Sequence, residues 1–187
     1  MPEDSEMPED SEMPEDSEMK LWRLAILVVL LVVIQVTLFT HLRILGVVPD
    51  LGLVLAVAIA YRQGPEAGAL TGFAAGLLYD LFLETPLAMS ALSYALAAYV
   101  IGVLQTGMFR SPRWIPPVLG GAAGVIGGLF FVAIGGLAGV PGMWTGRAVS
   151  VVGLAALYDA LVAPPVFFLV NRLSRDDDAM VGTWRAR

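Results

Sequence analysis

The sequence predicts an all-α, polytopic integral membrane protein with six transmembrane helices in one bundle. Three observations carry this. Residues 21–40 form an almost unbroken apolar run, and similar runs follow it along the chain. A bilayer core about 30 Å thick needs about 20 apolar helical residues to cross it. The composition agrees: 57% hydrophobic, only 15% charged, mean hydropathy +0.76. The connections between runs are short, as in a bundle of antiparallel neighbours.

The first 18 residues are three copies of Met-Pro-Glu-Asp-Ser-Glu, with nine acidic and no basic residues. Such a segment is too polar and too charged to offset the entropy of ordering. Residues 1–18 are therefore expected to be disordered. Each copy opens with Met, and Met19-Lys20 looks like a natural start, so the repeat reads as a duplicated start. The rest of the chain carries eleven basic and eight acidic residues, so the overall charge of −6 belongs to the repeat.

Span one covers residues 21–40, too long for a removable signal peptide and without a small-residue cleavage site. Span two covers residues 45–61 and contains Pro49-Asp50, which leaves its apolar stretch short. Span three covers 64–83, span four 88–108, span five 114–137 and span six 149–170. Residues 176–187 follow as a tail, so that the six-helix domain occupies 19–175. Pro116-Pro117 falls in the first turn of span five, where proline is tolerated. Pro164-Pro165 interrupts span six, and a kink is expected there.

Six spans put both termini on one side. That side then holds Lys20, Arg23, Arg62, Arg110, Arg113, Arg172, Arg175, Arg185 and Arg187, and the other only Arg43 and Arg147. Basic residues accumulate on the cytoplasmic side, so both termini are expected there. Trp22, Trp114 and Trp144 fall near span ends, where indole rings prefer to sit.

Gly64, Gly68, Gly72, Gly76 and Asp80 recur every four residues along span three. Gly120, Gly124 and Gly128 repeat the spacing in span five. Glycine on one face lets another backbone approach closely, which is how helices associate in lipid. Spans three and five are therefore expected to be the central packing helices. A short echo, Leu78-Tyr79-Asp80 with Pro86 against Leu157-Tyr158-Asp159 with Pro165, predicts a 3+3 inverted repeat.

There is no cysteine and a single histidine, His41, which excludes disulfides, thiolate metal sites, thiol nucleophiles and multi-histidine centres. No cofactor is expected. The candidate functional residues are three acids in or beside the bilayer: Asp50, Asp80 and Asp159. A central aspartate costs about 2.5–3.5 kcal/mol to insert and normally finds a donor in the bundle interior. Asp50, after Pro49, is expected to cap span two. Asp80 ends span three, where an acid opposes the helix dipole, so a cationic partner is expected. Arg147 is the expected partner of Asp80 or Asp50. Structural pairing is the default role for all three acids.

The stretch from Val48 to Leu104 resembles the rod-shape-determining protein MreD family. The resembling features are Pro49-Asp50-Leu51, Tyr61-Arg62-Gln63-Gly64-Pro65, the run from Gly68 to Asp80, Thr85-Pro86-Leu87 and the run from Leu157 to Pro164. Two departures stand out. The family often has Gly then His where Ala88 and Ser90 stand here, and often Asn where Asp159 stands. The resemblance implies a non-enzymatic scaffold of the bacterial cell-elongation machinery that makes peptidoglycan. It implies docking of an MreC-like bitopic protein and action with MreB, RodA and a class B penicillin-binding transpeptidase. The faces carrying Gly68, Gly72 and Gly76 are candidate docking seams, and the expected surroundings are lipid rather than nucleic acid.

Two rival readings remain. One is the substrate-binding subunit of an energy-coupling-factor vitamin transporter, also a six-span protein of this size. Its first span often carries small residues four apart, whereas residues 26–34 here are bulky throughout. The other is an intramembrane aspartyl hydrolase that pairs Asp80 with Asp159, since two adjacent carboxylates supply an acid and a base. The usual Gly-x-Gly-Asp motif is missing.

Overall fold

A computed structural model describes residues 15–38, 47–82, 88–105, 114–143 and 145–184. Among these the chain is all-α, with six helices and no β-strand. The helices are α1 (Glu15–Leu38), α2 (Leu51–Gln63), α3 (Pro65–Asp80), α4 (Met89–Gln105), α5 (Ile115–Leu137) and α6 (Gly146–Trp184). Most of the acidic repeat, the segment with His41 and Arg43, the turn with Thr85-Pro86-Leu87, Arg110, Arg113, Trp144, Arg185 and Arg187 lie outside the described residues.

The helix boundaries depart from expectation at both ends of the chain. α1 begins at Glu15, inside the last copy of the acidic repeat. α6 runs unbroken through Pro164 and Pro165 to Trp184. Both prolines are exposed on its outer face, where no neighbouring helix crowds the rings. At 1.5 Å per residue α6 is about 58 Å long, nearly twice a bilayer core. Two helical stretches, Ile115–Leu137 and Gly146–Arg172, are long and apolar enough to cross a membrane. Ala25–Gln35, Leu51–Gln63 and Met89–Gln105 are shorter apolar helices.

The centre of the molecule is α2, not α3 or α5 as the glycine spacing predicts. Every residue from Leu51 to Ala60 is buried. A helix apolar on all sides is one enclosed by others, and α2 packs against α1, α3, α4, α5 and α6. Around it stand two intimate pairs, α3 with α4 and α5 with α6, joined through α4 and α5. α1 lies against α2 and α3, burying Leu27, Val28, Leu31, Val32 and Gln35.

The glycine seams hold these pairs in antiparallel register. A Cβ at Gly72 would lie 2.8 Å from the Tyr94 carbonyl oxygen, and one at Gly76 would lie 2.6 Å from Ala91 Cα and N. Gly68 meets Ala60 of α2 in the same way. In the second pair, Gly120 faces Asp159 and Ala163, Gly124 faces Ala156 and Asp159, and Gly128 faces Val152. Each step of four along α5 moves the contact back along α6. The expectation that Gly68, Gly72 and Gly76 receive a partner's helix is therefore corrected. α2 and α4 already occupy that face, at distances that leave no room for a side chain.

Candidate functional site: a carboxylate cluster at the head of α2

The first turn of any helix leaves backbone N–H groups without intrahelical partners. At α2 these lie in the interior, and neighbouring helices satisfy them. Gln35 of α1 accepts from the Gly52 N–H through Oε1 at 3.3 Å. Asp159 of α6 accepts from the Asp50 N–H through Oδ1 at 2.7 Å. The Asp50 carbonyl accepts the first helical bond, from the Val54 N–H, at 3.0 Å.

The Asp50 side chain does not cap α2, contrary to expectation. Its Oδ1 instead accepts from the Tyr94 hydroxyl at 2.8 Å and from Gln35 Nε2 at 3.3 Å. Gln35 thus uses both ends of its amide, one on the Asp50 carboxylate and one on the α2 backbone. Tyr94 also stacks on Tyr79 of α3, with ring centroids 6.4 Å apart and planes 30° from parallel. Four helices and the residue heading α2 meet here: α1 through Gln35, α3 through Tyr79, α4 through Tyr94, α6 through Asp159.

Asp159 is placed by helical periodicity. It shares the buried face of α6 with Ala156, Ala163, Val166, Phe167 and Val170. That face looks toward α2 on one side and toward Gly120 and Gly124 on the other. A Cβ on Gly124 would sit 2.7 Å from Asp159 Oδ2, so glycine there leaves the space this carboxyl fills. Asp159 is 0% exposed, and its Oδ2 has no hydrogen-bond partner among the described residues.

Asp80 does a different job. From the end of α3 its Oδ2 accepts from the N–H groups of Ser90 at 3.0 Å and Ala91 at 3.3 Å, in the first turn of α4. Its Oδ1 accepts from Ser90 as well, at 3.2 Å. The acid that opposes the α3 dipole is used by the favourable dipole of α4. This answers the need for a donor without Arg147. Arg147 is exposed at the start of α6 and forms no ion pair with Asp80 or Asp50. The predicted pairing is corrected: a buried acid at a helix start is satisfied by backbone amides, and a long cationic side chain remains free to reach polar surroundings. Nor does Asp159 meet Asp80, as the aspartyl-hydrolase rival requires; it meets Asp50.

The cytoplasm-directed end of α2, as the charge bias predicts it, is held in the same style. Gln105 of α4 donates through Nε2 to the Ala60 carbonyl at 3.0 Å, and Arg62 donates to Asn171 Oδ1 of α6 at 3.1 Å. Side chains of other helices therefore tie both ends of the short central helix.

With this geometry in view, the comparisons with known proteins decide the family. The family model for rod shape-determining protein MreD matches residues 17–175. The chain belongs to the MreD family. No curated protein and no solved structure matches it. As an MreD protein it is a membrane protein with a role in rod-shape determination, and the vitamin-transporter alternative finds no support. Ala88 has φ +73°, a left-handed conformation that glycine adopts freely and other residues adopt at a cost.

Sequence reasoning missed Gln35 and Tyr94. Gln35 had a signal: it is the lone amide in the apolar stretch Ala25–Gln35 within α1. An amide in such a run must find partners, as embedded polar groups do. Tyr94 had none, because a tyrosine at a span interior reads equally well as an interfacial anchor.

Proposed function

We propose that this MreD protein is a non-enzymatic, six-span scaffold of the bacterial cytoplasmic membrane, with both termini cytoplasmic. In this reading it docks an MreC-like bitopic protein within the bilayer. Through that contact it acts with MreB, RodA and a class B penicillin-binding transpeptidase in peptidoglycan synthesis during elongation. The observation that carries the reading is the family match over nearly the whole chain.

The structure supports it in two ways. The interior polar groups are committed largely to capping helix ends, which is architecture rather than turnover. The outer faces are strongly apolar, which suits lipid and transmembrane partners. Along α6, Val149, Leu157, Leu161 and Phe168 are 74%, 64%, 75% and 67% exposed. Gly153 lies in the same row, and a Cβ there would meet nothing within 4 Å. This row, not the α3 seam, is our candidate for the docking face. The Tyr-Asp echo fits two inverted halves, since Asp80 and Asp159 each accept backbone N–H groups at a helix start.

Photocrosslinkers at Val149, Leu157 and Leu161 in native membranes test the reading. Capture of the MreC-like partner from these positions, and not from Val54 or Ala58 inside the bundle, is the expected result. Capture only from other exposed helices moves the face. No capture of any elongation component from any outer face overturns the scaffold reading. A tag between Thr85 and Leu87 that reports from the cytoplasm overturns the six-span threading.

A further inference from the structure

We propose that Asp50 and Asp159 together form a binding site for one small monovalent cation, a proton or Na⁺. Two acidic residues meet at the head of α2, where the Asp159 carboxyl accepts from the Asp50 backbone N–H through Oδ1 at 2.7 Å. No Lys, Arg or His among the described residues pairs with either. Buried carboxylates are compensated by a cation or by hydrogen bonds. Asp50 has part of that compensation, from Tyr94 and Gln35. Among the described residues Asp159 has one partner on Oδ1 and none on Oδ2, although it is fully buried. That orphaned oxygen is a second observation, separate from the gathering of acids, and it asks for positive charge.

The geometry also limits what the cation is. No group of three or more His, Cys, Asp or Glu side chains gathers among the described residues, so a divalent ion lacks the ligand set it prefers. One positive charge is what a pair of acids can share. The groups facing the site are Gln35 from α1, Tyr79 and Tyr94 from α3 and α4, and backbone at Gly120 and Gly124 from α5. None of these supplies a charge at neutral pH. Asp50 is half-buried while Asp159 is fully buried, so Asp50 is the one of the two nearer the surface.

The consequence is structural coupling. Asp159 belongs to the α5–α6 pair, and Asp50 is held by α1 and α4. A cation between them ties the two sides of the bundle across α2, so its binding should stabilise the whole molecule. The inference does not depend on which protein the outer faces dock.

The test uses the full chain in lipid nanodiscs, followed by thermal unfolding. NaCl is titrated against choline chloride at constant ionic strength, and the series is repeated from pH 5 to pH 9. A Na⁺ site gives a midpoint that rises with Na⁺, by roughly 5–10 °C at a hundredfold excess over the dissociation constant. A proton site gives no Na⁺ response, but a midpoint that changes with pH by an amount that Asp159→Asn removes. Asp159→Asn keeps the size of the side chain and an oxygen for the Asp50 N–H. Either response, abolished in that variant, supports the site. A wild-type midpoint indifferent to both Na⁺ and pH overturns it without recourse to any variant. So does a response that Asp159→Asn and Asp50→Asn both leave intact.

Discussion

Replacing Gly76 with alanine adds one methyl group to the seam between α3 and α4. The new Cβ would lie 2.6 Å from Ala91 Cα, Ala91 N and the Ser90 carbonyl carbon, all backbone atoms that cannot rotate away. An ordinary contact is about 3.5–4.0 Å, so the helices must part by about 1 Å. Overpacking of this kind costs about 1–3 kcal/mol. The displacement falls one turn from Asp80, whose bonds to Ser90 and Ala91 already span 3.0–3.3 Å. Losing one charge-assisted bond costs about 1.5–3 kcal/mol more. Against this, alanine gains about 1 kcal/mol of helix propensity over glycine. The net loss is about 1.5–5 kcal/mol, or roughly 3–20 °C in the unfolding midpoint for a chain of this size. Tryptophan fluorescence during thermal unfolding in nanodiscs measures it. Gly153→Ala is the matched control, since its Cβ would meet nothing within 4 Å, and it should be neutral or gain up to about 1 kcal/mol. If Gly76→Ala is as stable as Gly153→Ala, the seam is not the close backbone contact described.

The other predictions use the same measurement. Asp80→Ala should cost about 1–3 kcal/mol through the uncapped amides of α4. Arg147→Leu should change stability by less than about 0.5 kcal/mol, and its double mutant with Asp80→Leu should be additive within about 0.5 kcal/mol; strong coupling would restore the ion pair. Tyr94→Phe should cost about 1–2 kcal/mol, because it strips a donor from Asp50 while leaving the ring in place. Ala88→Gly should stabilise by about 1 kcal/mol, since it relieves a left-handed alanine; a loss would mean that the methyl group is needed for packing.

Much of the fold was legible because lipid imposes a simple grammar. An apolar run and its flanking charges set where a helix lies, and glycine four residues apart marks a close backbone approach. Gly72, Gly76, Gly120 and Gly124 are each pressed against another helix as that spacing requires. What the spacing could not say is whose helix fills the seam. A glycine face open to a partner and one filled by the chain's own neighbour have the same sequence.

The three acids divide along the same line. The sequence alone determined that Asp50, Asp80 and Asp159 must be satisfied, because each falls in or beside an apolar run, where an uncompensated charge is costly. Only the tertiary structure decided how: Asp80 by the amides of α4, Asp50 by Tyr94 and Gln35, and Asp159 in part, by the amide of Asp50 on one of its two oxygens. The central place of α2 was likewise invisible, since its sequence is merely short and apolar. Between helices in lipid there is no strong hydrophobic drive to rank one pairing above another. The ranking comes from shape and from hydrogen bonds between distant residues, and both exist only once the helices have met.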